Sequence, residues 1–376
     1  MEINDLLQEA VGGGASDLHI KVGTPPVFRT DGALVFKEGA PVITRDEALR
    51  LAFSVMTQAQ REIFKKEGDL DFAYSVQGLG RFRCNAFMQR GTIGMVFRVI
   101  PTKIPTIDEL TLPPVIKKLA MEERGLILVT GTTGCGKSTT LAAMIDHINS
   151  NKRVNVVTIE DPVEYAHRDK KSLLNQREVG SDTKGFSKAL RSAMRQDPDV
   201  ILVGEMRDFD TIQTALMAAE TGHLVLSTLH TLDAPETVNR VISFFPPYSQ
   251  HQVRMQLASI LRGIISLRLL PRADGKGRAP AVEVLIATAT IRDCMLDPAK
   301  TGLIHDFIGQ GSVIYGMQTF DQSLLDLYKN GLITLEEAQR QASRPDDLIL
   351  KVKGVHNTKE MFEQKDGGMD IERFSR

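Results

Sequence analysis

A chain of 376 residues is longer than one typical hydrophobic core supports, and it predicts two domains. Its formal net charge of −1 excludes a globally basic surface, so the total charge does not point to nucleic acid. Three isolated cysteines, Cys84, Cys135 and Cys294, exclude a disulfide framework and a cysteine zinc site, and no apolar run approaches the ~20 residues that span a bilayer. The opening Met-Glu-Ile-Asn-Asp carries no basic, apolar leader, which sets the expectation of a cytoplasmic protein.

The first hundred residues predict a small α+β domain. Leu18, Ile20 and Val22 alternate with polar neighbours, and Asp31-Gly32 marks a hairpin turn after Val27 and Phe28. Two helices follow, because Thr44 with Glu47 and Thr57 with Gln60 each fit a capping box. Alternation then returns over 69–76 and over 81–88. In the second run Phe82, Cys84, Ala86 and Met88 share one face and Arg81, Arg83 and Asn85 the other. A further strand over 95–100 carries Arg98. Residues 101–114 hold four prolines and no periodicity, which predicts an interdomain linker.

Beyond the linker comes the apolar run Leu126–Val129 and then Gly131-Thr-Thr-Gly-Cys-Gly-Lys-Ser138, which fits the phosphate-binding pattern G-x-x-x-x-G-K-[ST]. Leu141, Met144, Ile145 and Ile148 follow at helical spacing, so strand, loop and amphipathic helix stand in the order the motif requires. Gly131, Thr132, Thr133, Gly134, Cys135, Gly136, Lys137, Ser138 and Thr139 are the candidate nucleotide-binding residues. The glycines admit phosphate close to the backbone, Lys137 neutralises β/γ charge, and Ser138 holds Mg²⁺.

Strands and helices then alternate, with strands over 154–159, 200–203, 224–229 and 282–286, predicting a mainly parallel α/β sheet. Carboxylates that serve a phosphate loop belong at the carboxyl ends of neighbouring strands. Glu205 ends the run from Asp199, and Glu160 and Glu164 cluster after Thr158. His223 and His230 bracket the 224–229 strand, and His230 is placed to sense a γ-phosphate. Helical segments continue to about Ala342, and a polar stretch closes the sequence.

In this order, the phosphate loop, Ile159-Glu-Asp-Pro-Val-Glu164, Val203-Gly-Glu-Met-Arg-Asp208 and Thr221-Gly-His-Leu-Val-Leu-Ser-Thr-Leu-His230 resemble the four nucleotide motifs of the secretion ATPase superfamily of type II secretion and type IV pili. The likeness extends upstream through Ala15-Ser-Asp-Leu-His-Ile20 and so covers nearly the whole chain. Within the superfamily it looks like the branch that retracts pili, which carries a C-terminal coupling segment. Thr290-Ile-Arg-Asp-Cys-Met-Leu-Asp297 matches that segment at Ile291 and Arg292 and departs elsewhere, which leaves open an accessory retraction ATPase or an assembly ATPase.

The resemblance implies a PAS-like N-terminal domain over 1–100, the 101–114 linker, a RecA-like ATPase domain with C-terminal helices over 115–345, and a polar tail over 346–376. It also implies ATP and Mg²⁺ as cofactors, a homohexameric ring at the inner face of the cytoplasmic membrane, an inner-membrane pilus platform protein and an accessory paralogous ATPase as partners, and no nucleic acid. Arg83 and Arg98, with Arg81 the weaker candidate, would reach the phosphates. Glu205 would be essential, and Glu164 or Glu160 would polarise water. A RecA-like core also suits a nucleic-acid translocase; the neutral charge and the short basic face of Lys188, Arg191 and Arg195 weigh against that.

Overall fold

The computed structural model describes residues 1–30, 32–101 and 103–353. In chain order the N-terminal elements are α1 (Ile3–Gly12), β1 (Asp17–Lys21), β2 (Val27–Thr30), β3 (Ala33–Phe36), α2 (Arg45–Val55), α3 (Gln58–Glu67), β4 (Asp69–Val76), β5 (Gly80–Gln89) and β6 (Thr92–Val99). Next come α4 (Val115–Ala120), β7 (Gly125–Thr130), α5 (Lys137–Asn151), β8 (Asn155–Glu160), β9 (Leu173–Glu178), α6 (Phe186–Ala193), β10 (Val200–Val203), α7 (Phe209–Glu220) and β11 (Leu224–Leu229). After these follow α8 (Ala234–Ser243), α9 (Gln250–Ile260), β12 (Leu261–Pro271), β13 (Arg278–Ile286) and the helices α10 (Ala289–Leu296), α11 (Ile304–Gln310), α12 (Ser312–Tyr315), α13 (Phe320–Lys329), α14 (Leu335–Gln341) and α15 (Pro345–Val352). The contacts divide the chain into one unit of Met1–Thr106 with Ile145–Glu205, and a second of Ile107–Met144 with Met206–Arg376.

In the first unit, six strands pair antiparallel in the order β3-β2-β1-β6-β5-β4. One face is apolar because alternate residues point the same way: Leu18, Ile20, Phe82, Cys84, Ala86, Met95 and Phe97 are all buried, under Leu6, Leu7 and Leu51 from the helices. Met88, predicted on this face, is 48% exposed. It lies at the hairpin end against Gly68, which has no side chain to cover it. Both helices start where expected: Thr57 with Gln60 forms the full reciprocal box, whereas at Thr44 only Oγ1 accepting from the Glu47 N–H is present, the Glu47 carboxylate being taken by Arg50. Asp31 of the predicted turn lies outside the described residues.

The same unit holds three parallel strands in the order β10-β8-β9. Strand β9, Leu-Leu-Asn-Gln-Arg-Glu, escapes the sequence pattern because it is a polar edge strand in which only Glu178 is buried.

In the second unit the order is β13-β12-β7-β11, with β12, β7 and β11 parallel and β13 antiparallel to β12. Strand β12 is also unanticipated, since α9 runs into it without a break at Ile260/Leu261 and its long apolar run fits helix and strand alike. Together the strands give the expected mainly parallel α/β arrangement, followed by the expected helical C-terminal segment. The predicted polar tail begins inside a helix, α15, and its remainder from 354 lies outside the described residues.

One buried group in the first unit makes stability depend on pH. His167 has Nδ1 enclosed without a hydrogen bond, while its backbone N–H donates to Gln176 Oε1 at 2.8 Å. Burial drives its imidazole from the ordinary 6.5 down to about 4, with Asp146 opposing and Lys170 reinforcing. The unfolded chain therefore binds a proton between those values that the folded chain refuses, and stability falls as pH drops from 6.5 towards 4. His167→Gln is expected to flatten that acid limb of the thermal midpoint between pH 7 and pH 5; an unchanged limb would show that other groups set it.

Candidate functional site

The phosphate loop is built in the second unit. Every residue of β7 is buried, and Thr130 at its end donates through Oγ1 to Ser266 Oγ on β12 at 2.9 Å. Gly131 then turns at φ 137°, where a Cβ would stand 2.5 Å from the Leu267 carbonyl oxygen and 2.5 Å from Cys135 Sγ, so only glycine fits. Gly134 and Gly136 also take positive φ, and the chain enters α5 at Lys137. Thr132, Thr133, Gly134 and Ser138 are exposed, whereas Gly131, Cys135, Lys137 and Thr140 are buried anchors. The result is a loop that offers its apex and a helix N-terminus to an anion.

Lys137 Nζ donates to the carbonyls of Gly131 and Thr132, each at 2.9 Å, which holds its charge against the loop itself. Burial raises the Cys135 thiol pKa against the pull of Lys137, so this sulfur packs rather than reacts. Strand β11 runs beside β7 with Leu229 opposite Thr130, which places His230, exposed, next to the first residue of the loop. His223 is at the other end of β11, where its ring meets the Ala218 carbonyl oxygen at 2.9 Å and closes a turn.

The carboxylates gather in the first unit. Val203 of β10 lies opposite Ile159 of β8, and Gly204 donates to the Ile159 carbonyl at 2.7 Å. A Cβ on Gly204 would stand 3.2 Å from that oxygen and 3.3 Å from Glu160 Cα, so glycine allows the two strand ends to close up. Glu160 and Glu205 therefore leave neighbouring strands side by side. The Glu160 carboxylate accepts from Thr158 Oγ1 at 2.6 Å and Gln176 Nε2 at 3.1 Å. Burial raises its pKa, Glu164 adds repulsion, and those hydrogen bonds oppose. Glu164 is exposed and Glu205 half-buried.

The candidate arginines separate in role. Arg81 Nη2 donates to Glu178 Oε2 at 2.7 Å, and the same oxygen accepts the Val163 N–H at 3.1 Å. Arg98 Nε donates to the buried Asp17 at 2.9 Å. Arg83 sits opposite Arg98 in the ladder, is exposed, and among the described residues its guanidinium makes no ion pair. Arg83, Arg81, Asp161, Pro162, Glu178 and Ser181 line a cavity of about 250 Å³ in the first unit. The structure thus brings Arg83 to the segment that carries Asp161, whose place among the strand-end carboxylates the sequence gives but whose juxtaposition with Arg83 it does not. Glu178, Gln176 and Asp182, whose carboxylate accepts the Glu178 N–H at 2.8 Å, were missed by the sequence reading. Their signal is hidden in the polar edge strand.

The expected coupling segment falls on α10, where the two matching residues do not form the exposed face. Ile291 is fully buried, and Arg292 is half-buried with Nε enclosed and without a hydrogen bond among the described residues; Thr290, Asp293 and Leu296 are exposed.

A parallel sheet with a glycine-bounded phosphate loop and strand-end carboxylates defines a P-loop class of protein. The chain belongs to the type II/IV secretion system protein family, whose model matches residues 1–362. Its relatives include the type IV pilus retraction ATPase PilT of Pseudomonas aeruginosa, 46% identical over 348 residues, covering 93% of this chain and 100% of that protein. The type IV pilus ATPase PilU of the same organism is 42% identical over 355 residues, covering 94% and 92%. Among solved structures, the pilus retraction motor PilT with bound ADP superposes with a TM-score of 0.86 at 47% identity, covering 92% of this chain and 98% of that one.

Proposed function

We propose that this chain is an ATP-hydrolysing motor that powers type IV pilus retraction. The observation that carries the reading is the 46% identity that runs the full length of a retraction ATPase, and the match to a retraction motor solved with ADP agrees with it.

In this reading the loop N–H groups and the N-terminus of α5 take the phosphates, and Lys137 transfers its donors from loop carbonyls to β/γ oxygens. Ser138, an exposed hydroxyl in the first turn of α5, fits the single side-chain ligand that Mg²⁺ needs when water and phosphate fill its other positions. Bound Mg²⁺ would neutralise charge building on the phosphates. Glu205 positions the attacking water or takes its proton, Glu160 or Glu164 polarises it, and His230 senses the γ-phosphate. Arg83 supplies positive charge to the transferring group, with Arg98 beside it.

The proposed assembly is a homohexamer on the cytoplasmic side of the membrane. It would act on an inner-membrane platform protein, with a paralogous ATPase as a second partner and no nucleic acid. Motion of the 1–100 domain against the 115–345 domain about the proline-rich 101–114 stretch converts turnover into work.

Glu205→Gln is expected to bind ATP nearly as well as the parent and to hydrolyse it slower by on the order of 10² or more. Wild-type turnover would remove Glu205 from the reaction.

Arg83→Ala chains are expected to bind ATP, form rings and turn over very slowly. Mixing them with Lys137→Ala chains creates interfaces with an intact loop on one side and an intact arginine on the other. Activity recovers there if the arginine acts between chains, and stays low in verified mixed rings if it does not.

For the direction of the motor, a strain lacking this chain is expected to display abundant pili that fail to retract. Bald cells would make it an assembly ATPase instead.

A further inference from the structure

A charged cluster in the second unit stands behind the His230 turn. Glu283, near the middle of β13 and opposite Ser266 of β12, is 1% exposed. Its Oε1 accepts the N–H of Ala234, the first residue of α8, at 2.9 Å. Among the described residues its Oε2 has no hydrogen bond, and it faces Nδ1 of His305, on α11, at 3.7 Å, an ion-pair separation.

Helix α8 begins four residues after His230, and the intervening turn is fastened to it. Asp233 Oδ1 accepts from the Glu236 N–H at 2.8 Å, Glu236 Oε2 accepts from the Leu232 N–H at 2.8 Å, and the hydroxyls of Thr231 and Thr237 meet at 2.7 Å. Whatever fixes the start of α8 therefore fixes the residues that follow His230. A carboxylate is a strong acceptor at that position, since it meets an orphan N–H and the positive end of the helix together. Burying it is costly unless a cation compensates.

We propose that Glu283 is a positioning residue for the reaction assigned above: its carboxylate anchors the start of α8 and with it the His230 turn, and the imidazolium of His305 holds that carboxylate in place. The inference rests on the assignment of His230 as the phosphate sensor.

His305 is faced by Glu283 from β13, by Asp321 from α13 and by Arg344, just before α15. The Glu283 carboxylate raises the imidazole pKa from its ordinary value; burial and Arg344 oppose, and Asp321 assists. Glu283 is faced in turn by Arg268 of β12, which also senses Asp233 and Asp321. That guanidinium is committed elsewhere, donating to the Gln341 carbonyl at 2.6 Å and lying 3.9 Å over the Phe320 ring. His305 is thus the member of the cluster whose charge changes near neutral pH. It connects the C-terminal helices to the nucleotide end of the sheet.

The test uses the full-length assembled protein. Glu283→Gln keeps an acceptor for Ala234 and removes the charge, and His305→Gln removes the titrating group. ATP hydrolysis and ATP affinity are measured from pH 6 to pH 9, with thermal midpoints over the same range. Glu283→Gln is expected to lower kcat by about 10- to 100-fold with KM for ATP little changed, the size expected when a reacting group is slightly misplaced. In the wild type, kcat is expected to fall as pH rises through the raised histidine pKa, and His305→Gln is expected to abolish that limb.

The stabilisation of wild type over His305→Gln should be full below the ordinary histidine pKa and vanish above the raised one, because the folded state holds the proton more tightly. The double variant should be no slower than the slower single variant. Unchanged kcat in Glu283→Gln, or a pH limb retained in His305→Gln, overturns the proposal while leaving the ATPase reading intact. Absence of turnover in the wild type removes the reaction itself, and this role with it.

Discussion

The nucleotide end of the second unit depends on one steric constraint. Where β7 ends, the backbone of Gly131 passes so close to the Leu267 carbonyl of β12 that no side chain fits. That contact exists because β7 is held in parallel register between β11 and β12. The register aligns three features at once: the loop apex, the helix start at Lys137, and His230 beyond the end of β11. A slip of one residue would reverse the faces of β7 and take Gly131 off its close approach to Leu267. Burial of all six β7 residues makes such a slip expensive.

A second close approach, at Gly204, organises the carboxylates in the first unit. There the glycine permits β10 and β8 to end together, so Glu160 and Glu205 leave adjacent strand ends. Glu160 accepts from Thr158 and Gln176, and burial raises its proton affinity.

The legibility of the sequence followed the strength of its periodic and capping signals. Strands β10 and β11 were placed to the residue, and Thr57 with Gln60 capped α3 as read, because those signals are local. Helix α1 carries Ile3, Leu6, Leu7 and Ala10 at helical spacing, a visible pattern that the search for strands passed over. Strand β9 has no apolar alternation to display, and β12 follows α9 with no turn between them. Within the candidate site, the glycines, Lys137, Glu160, Glu205 and His230 announce themselves by motif. The pairings do not. Arg81 and Arg83 are alternate residues of one strand face, and only the tertiary arrangement gives Glu178 to the first while leaving the second unpaired among the described residues. Ile291 illustrates the converse: the family likeness suggests a working surface, but the α10 periodicity turns that side chain into the core.

The shared oxygen of Glu178 has a mechanical meaning. Arg81 belongs to the N-terminal sheet, and Val163 to the acidic segment after β8, yet both donate to that single atom. A displacement of β5 that carries the guanidinium therefore acts on the same oxygen that holds the Val163 N–H, and the sheet and the acidic segment share one point of attachment.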